Sequence, residues 1–301
     1  MKIYRIFPIL LVIYIFYFLF KIIDWRIFLV SLVEANIFYL SLGFIISLLL
    51  PILSFLRWQK ILNEFGYKTY FIKLMKIILL SFSANLFAPA KSGDLVKIFA
   101  HTNIKKKSNL FSGLILDRFS DLIILSLLSI FGGFYLKNST VIVLGLLIIS
   151  TLLFAIILNK FIKFSFKTKI LNKIYLIVSK SFQLFFNRSK NIVFVILLSL
   201  LQWFFASIQV WLFFLAFGGD ISLVVVISLF PVVVFLSFLP ITPSGLGVRE
   251  ISFIYLFSQF VFPHISLAVS ISFYISVVIL PGLIGFTFLN DFFGKTDKKN
   301  S

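Results

Sequence analysis

Three clusters in this 301-residue sequence combine charge with a spacing that can do chemistry. Asp117 and Asp121 stand four apart, so on a helix the two carboxylates share one face, with Arg118 about 100° round from Asp117. Pro89-Ala-Lys-Ser-Gly-Asp94 brings Lys91 and Asp94 together around Ser92 and Gly93. Pro240-Ile-Thr-Pro-Ser-Gly-Leu-Gly-Val-Arg-Glu250 carries Thr242, Ser244, Arg249 and Glu250 in a run whose prolines, with Gly245 and Gly247, cannot continue a helix. Cations beside small residues with free backbone N–H groups suit the binding of a phosphate or carboxylate. An unbalanced carboxylate suits proton transfer: Lys91, Arg118 and Arg249 face Asp94, Asp117, Asp121 and Glu250, one acid in excess, so Glu250 or Asp121 is expected to carry a proton.

Bond-breaking chemistry fits these clusters less well. Carboxylates on one helical face stand side by side and not across a scissile bond. Ser244 lacks the first glycine of a nucleophile elbow. His101 and His264 fall near opposite faces of the expected bundle, and the chain has no cysteine, so neither a metal site nor a thiolate nucleophile is expected. No cofactor is called for, and the chain reads as a protein other than an enzyme.

The elements that must hold these residues are membrane helices. Hydrophobic residues make up 61% of the chain and charged ones 13%, with a mean hydropathy of +1.12, far from soluble usage. The net charge of +18 sits in short breaks between apolar runs, the positive-inside pattern, and no basic domain stands apart to bind nucleic acid. Ile3 to Phe20 reads as an uncleaved first helix, with residues 1–34 forming that helix and its connection. Asn36 to Leu56 follows, kinked at Pro51, and Arg57, Lys60 and Lys68 mark the cytoplasmic side. Residues 71–103 have basic flanks at both ends, so they enter and return as a re-entrant hairpin with Lys91 and Asp94 at its tip.

Leu110 to Leu136 and Val141 to Leu158 cross next, closing a first repeat over 35–158. Residues 159–190 are a basic cytoplasmic loop, read as an ordinary positive-inside connection in preference to an amphipathic surface helix, with anionic lipid headgroups as its candidate partners. Asn191 to Phe217 and Ile265 to Leu289 flank a second hairpin, 223–262, in a second repeat over 191–290, and 291–301 is a cytoplasmic tail. The expected fold is all-α and polytopic, about six transmembrane helices plus two oppositely oriented re-entrant hairpins in an inverted repeat. Both termini are cytoplasmic in this topology, the membrane is taken as the plasma membrane, and no oligomeric state is specified.

The ordered motifs Pro89–Asp94 with Lys97, Asp117-Arg118 with Asp121, and Pro240 to Glu250 resemble the flippase-like family of the lysylphosphatidylglycerol synthase transmembrane domain. The resemblance runs from about Ala35 to Asn290. Lys91 and Asp94 stand where that family usually has arginine and glutamate, keeping charge while changing reach and losing bidentate geometry. The resemblance implies a stand-alone member without the soluble synthase domain, one that moves or presents a lipid with a polar headgroup. Lys91, Ser92, Gly93, Asp94, Arg118, Thr242, Ser244, Gly245, Gly247, Arg249 and Glu250 are the expected binding residues, with Asp117, Asp121 and Glu250 as ion-pair or proton-coupling groups. Two other readings stay open: a secondary transporter of a small anionic solute, and a membrane-embedded headgroup transferase.

Overall fold

The computed structural model describes residues 17, 21–89, 91–101, 104, 106–161, 169–186, 189–239, 241–242 and 244–293, with side chains omitted at 151–156, 158–161, 169–171 and 293. The first predicted helix (apart from Tyr17), Pro240, Pro243, Lys163, Lys167 and the tail beyond 293 lie outside them. The described residues are helical and contain no strand. In order they form α1 (Trp25–Val33), α2 (Ile37–Ser47), α3 (Leu49–Glu64), α4 (Phe71–Asn85), a 3-10 turn (Ser92–Leu95), α5 (Val96–Phe99), α6 (Lys107–Tyr135) and α7 (Ser139–Phe161). There follow α8 (Lys169–Phe186), α9 (Lys190–Ala216), α10 (Leu223–Ser237), α11 (Val248–Phe257), α12 (Pro263–Tyr274), a π segment (Ile275–Ile279), α13 (Leu280–Phe286) and α14 (Leu289–Phe293).

Local chemistry sets these boundaries. Asp24 accepts from the N–H groups of Arg26 and Ile27 at 3.0 and 3.2 Å to start α1, and Asn36 starts α2 in the same way. Ser189 and Ser222 cap α9 and α10. The break between α2 and α3 falls at Leu48, where Pro51 offers no N–H to the carbonyl of Ser47. The helix then resumes and runs to Glu64, beyond the expected end at Leu56, so Arg57 and Lys60 belong to the span and not to the loop after it.

Three segments, Ile37–Glu64, Lys190–Ala216 and Pro263–Phe286, are long and apolar enough to cross a membrane. Their outward faces carry bare hydrocarbon: Ile37 is 77% exposed, Phe38 64% and Leu197 48%. Such a surface is stable only against lipid. Inside the bundle, α9 is the common wall. Its first turns, with Ile192 and Val195, pack among Phe55, Trp58, Leu74 and Leu116, while Val210, Phe213 and Phe214 pack among Phe230, Phe253 and Phe257.

Small residues set the closest helix crossings, as expected where lipid tails remove the hydrophobic drive between helices. A Cβ on Gly132 would fall 2.2 Å from the Cβ of Ser228, so α6 and α10 meet nearly backbone to backbone. The stretch expected as a basic loop contains α8, which docks on α6: the Ser112 hydroxyl donates to the Ile177 carbonyl at 2.9 Å, and the Ser181 hydroxyl donates to the Ser112 carbonyl at 3.0 Å. The four-residue step from Ile177 to Ser181 puts both on the packed face while Lys173 stays exposed.

Candidate functional site

The first motif turns back on α4. Lys91 takes a left-handed backbone (φ 53°), and Gly93 comes so near the end of α4 that a Cβ would lie 2.4 Å from the Asn85 nitrogen. Only glycine fits that approach. Asn85 reaches across the turn and donates its amide to Asp94 at 3.0 Å. The second motif turns by positive φ at Ser244, Gly245 and Gly247. Glu250 then ties it down, accepting from the Gly247 N–H and from Nη2 of Arg249, each at 2.5 Å, and from the Ser270 hydroxyl at 3.3 Å. The two tips touch: the Ser244 N–H donates to the Ala88 carbonyl at 3.3 Å.

Behind the tips lies a buried charge network on α6. Arg57, expected at the cytoplasmic surface, is 2% exposed and sits within it, its Nε 2.6 Å from Asp117 and its Nη1 2.5 Å from Asp121. Arg118 pairs with Asp94 and lies 3.1 Å from Asp121, and Lys97 lies 3.4 Å from Asp94 and 3.6 Å from Asp117. The Trp203 indole N–H donates to Asp121 at 2.9 Å. Asp117 and Asp121 thus share one face as their spacing requires, and that face points inward.

Arg57 and Lys97 reverse the charge balance read from the sequence. Five cations, Arg57, Lys91, Lys97, Arg118 and Arg249, stand against Asp94, Asp117, Asp121 and Glu250, leaving one positive charge in place of one acid. The ground for a proton on Glu250 or Asp121 falls with that reversal, and both carboxylates are ringed by donors. Arg57 had a signal in sequence, since Ser54, Trp58 and Ile61 share its helical face and all are buried.

The two motifs and this network enclose a cavity of about 120 Å³. All five cations line it, with Asp94 the only carboxylate among the described residues that does; Ser244, Gln202 and Trp203 contribute polar edges, and Leu50, Ile78, Phe230 and Val233 an apolar wall. Among the expected binding residues, Lys91, Asp94, Arg118, Ser244 and Arg249 reach the cavity. Ser92 is exposed, while Gly93, Thr242, Gly245, Gly247 and Glu250 shape the turns around it without lining it. His101 is buried against Trp58 and His264 stacks on Phe262; no cluster among the described residues could hold a metal.

A helical bundle with a hydrocarbon exterior and charges paired at its centre is an integral membrane protein. The chain belongs to the family of the lysylphosphatidylglycerol synthase transmembrane region, whose model matches residues 5–285. It is also similar to a UPF0104 membrane protein of Methanocaldococcus jannaschii, at 25% identity over 298 residues covering 89% of each chain.

The Trp203 bond gives a direct stability test. Trp203→Phe is expected to lower stability by about 1.5–3 kcal/mol, because its indole serves a buried carboxylate. Trp211→Phe, which removes a 2.9 Å bond to the neutral Ile221 carbonyl, should cost about 0.5–1.5 kcal/mol. Thermal unfolding of the two purified variants in detergent checks that order.

Proposed function

We propose that the protein moves a lipid with a polar headgroup, a phospholipid or a lipid-linked precursor, across the bilayer. The observation that carries this reading is the cavity between the motif tips, where five cations and one carboxylate share the wall with hydrocarbon side chains. A headgroup needs the first kind of wall and the start of its chains the second. Arg57, Lys97, Arg118 and Arg249 are held in place by their carboxylates, so donors are pre-positioned toward whatever enters.

The reading treats 71–103 and 223–262 as oppositely oriented re-entrant hairpins of an inverted repeat within about six crossings, with both termini cytoplasmic and the plasma membrane as the setting. Their contact through Ser244 and Ala88 supports a site shared between repeats. In such an arrangement, rocking one hairpin against the other opens the site to alternate leaflets. Transport of a small anionic solute through the same repeat is the second reading; Phe230, Val233 and Leu50 on the wall favour a lipid over a fully hydrated ion. Headgroup transfer ranks below both, because the carboxylates that could act as acid or base are occupied by guanidinium and indole donors.

Reconstitution into liposomes with fluorescent anionic, zwitterionic and polyprenyl lipids tests the proposal. Transbilayer movement of at least one of them should exceed that of empty liposomes, and Arg249→Gln should reduce it about tenfold or more. Equal movement with and without protein for the whole panel overturns the reading.

A further inference from the structure

One cation of the centre stands apart from the rest. Lys91 makes no ion pair among the described residues, whereas Arg57, Lys97, Arg118 and Arg249 all do. Its ammonium rests instead on two aromatic faces, 4.5 Å from the Phe238 ring centre and 5.2 Å from that of Trp203. Lys91 is therefore the cation of the network that no carboxylate among the described residues holds. A cation–π seat is worth about 0.5–2 kcal/mol, weaker than a buried pair with an anion, so it can be given up when one arrives.

Lys91 also stands at a junction. A second space, about 280 Å³, is lined by Leu122 of α6, by Phe235 of α10 with Phe238 and Leu239 just beyond its end, and by Lys91 and Arg118. Lys91, Arg118 and Phe238 border both spaces. The groove thus runs from hydrocarbon side chains, with Leu239 37% exposed, to two cations at its inner end. An acyl chain suits the outer part and an anion the inner.

We infer that the groove between α6 and α10 admits a lipid whose phosphate headgroup carries a net single negative charge. The phosphate draws the Lys91 ammonium from its aromatic seat and pairs with Lys91 and Arg118, while the chains stay along Leu122, Phe235 and Leu239. This rests on the lipid-handling reading and names its substrate class. One phosphodiester neutralises the one unpaired cation. A zwitterionic or cationic headgroup brings an ammonium into a site whose four carboxylates are already paired, where it meets like charge in a low dielectric. A soluble phosphate has the anion without the part that fills the apolar groove.

Native mass spectrometry of the purified chain in detergent reads this without any transport step. The probes are dioleoylphosphatidylglycerol, dioleoylphosphatidylcholine, lysylphosphatidylglycerol and glycerol 3-phosphate. Phosphatidylglycerol is expected to be retained about tenfold or more over the other two lipids, and excess glycerol phosphate should not displace it. Lys91→Gln should abolish the preference while Lys91→Arg keeps it, and Lys91→Glu should shift it toward the lysyl lipid. An unchanged thermal transition for Lys91→Gln shows that binding, not folding, was altered. Equal retention of the three lipids, a preference that survives Lys91→Gln, or displacement by glycerol phosphate overturns the inference. Selective binding without transbilayer movement in liposomes would sink the translocation reading alone. Movement without charge selectivity would do the reverse.

Discussion

Replacing Arg57 with alanine should destabilise the protein by about 3–5 kcal/mol, the loss typical of removing one member of a buried ion pair. The guanidinium is the common partner of Asp117 and Asp121, and it also donates to the Ser199 hydroxyl at 2.9 Å. Without it, Lys97 at 3.6 Å is the nearest remaining counter-charge of Asp117 apart from Arg118 at 3.5 Å, and Asp121 keeps Arg118 and the Trp203 N–H. Two cations, Lys97 and Arg118, would then hold the two carboxylates that three cations hold now. The test is a double-mutant series in detergent. Arg57→Met alone should unfold many degrees below the native chain, and adding Asp121→Asn should recover part of the loss, since the neutral amide no longer needs a cation. Equal transitions for the native chain and Arg57→Met would show that the network contributes nothing to the fold.

A second large effect is expected at Gly93. A Cβ there would lie 2.4 Å from the Asn85 nitrogen and 2.5 Å from the Ala84 carbonyl carbon, backbone atoms that cannot turn aside as a side-chain end can. Gly93→Val therefore forces the return limb away from α4, at about 3 kcal/mol, the upper end of overpacking costs. The limb carries Lys91, Asp94 and Lys97, so the shift also opens the Asn85–Asp94 bond and the pairing of Asp94 with Arg118. Lipid movement in liposomes should fall about tenfold or more even in the fraction that remains folded, since a displacement near 1 Å is enough to disrupt such a site. Gly66→Val is the matched control: its added Cβ meets nothing within 4 Å, so only the strain of its positive φ remains, far from the cavity. Wild-type movement in Gly93→Val would show that the first motif does not shape the site.

Much of the membrane architecture was legible in the sequence because its signals are local. Hydropathy marks spans at 36–56, 191–217 and 265–289, where the structure has long apolar helices at 37–64, 190–216 and 263–286, and a four-residue step puts Asp117 and Asp121 on one face whatever surrounds them. The breaks after α4 and α10 follow from residues that do not continue a helix there, Pro89 in the first motif, Gly245 and Gly247 in the second. The same local view misplaced Arg57. Next to Lys60 and Lys68 it reads as one more cytoplasmic cation, since charge runs report topology only when the helix has already ended. The helix continues to Glu64, and that extension carries Arg57 into the bundle. Residues 169–186 were misread for a related reason, because basic composition hides the apolar face that packs on α6.

By itself, the sequence determined that the chain is a helical membrane protein, that helices break at the two motifs, and that Asp117, Arg118 and Asp121 lie inside an apolar run. These depend on the backbone chemistry of proline and glycine and on the cost of a charge in hydrocarbon, both fixed by residue type and near neighbours. Only the tertiary structure decided the partners. That Ser244 meets Ala88, that Arg57 bridges Asp117 and Asp121, and that Lys91 rests on Phe238 and Trp203 without a carboxylate partner among the described residues all depend on helices far apart in the chain. Charge balance in a buried site is a sum over every element that surrounds it. Its sign changed from acidic to cationic once α3 and α5 brought in Arg57 and Lys97.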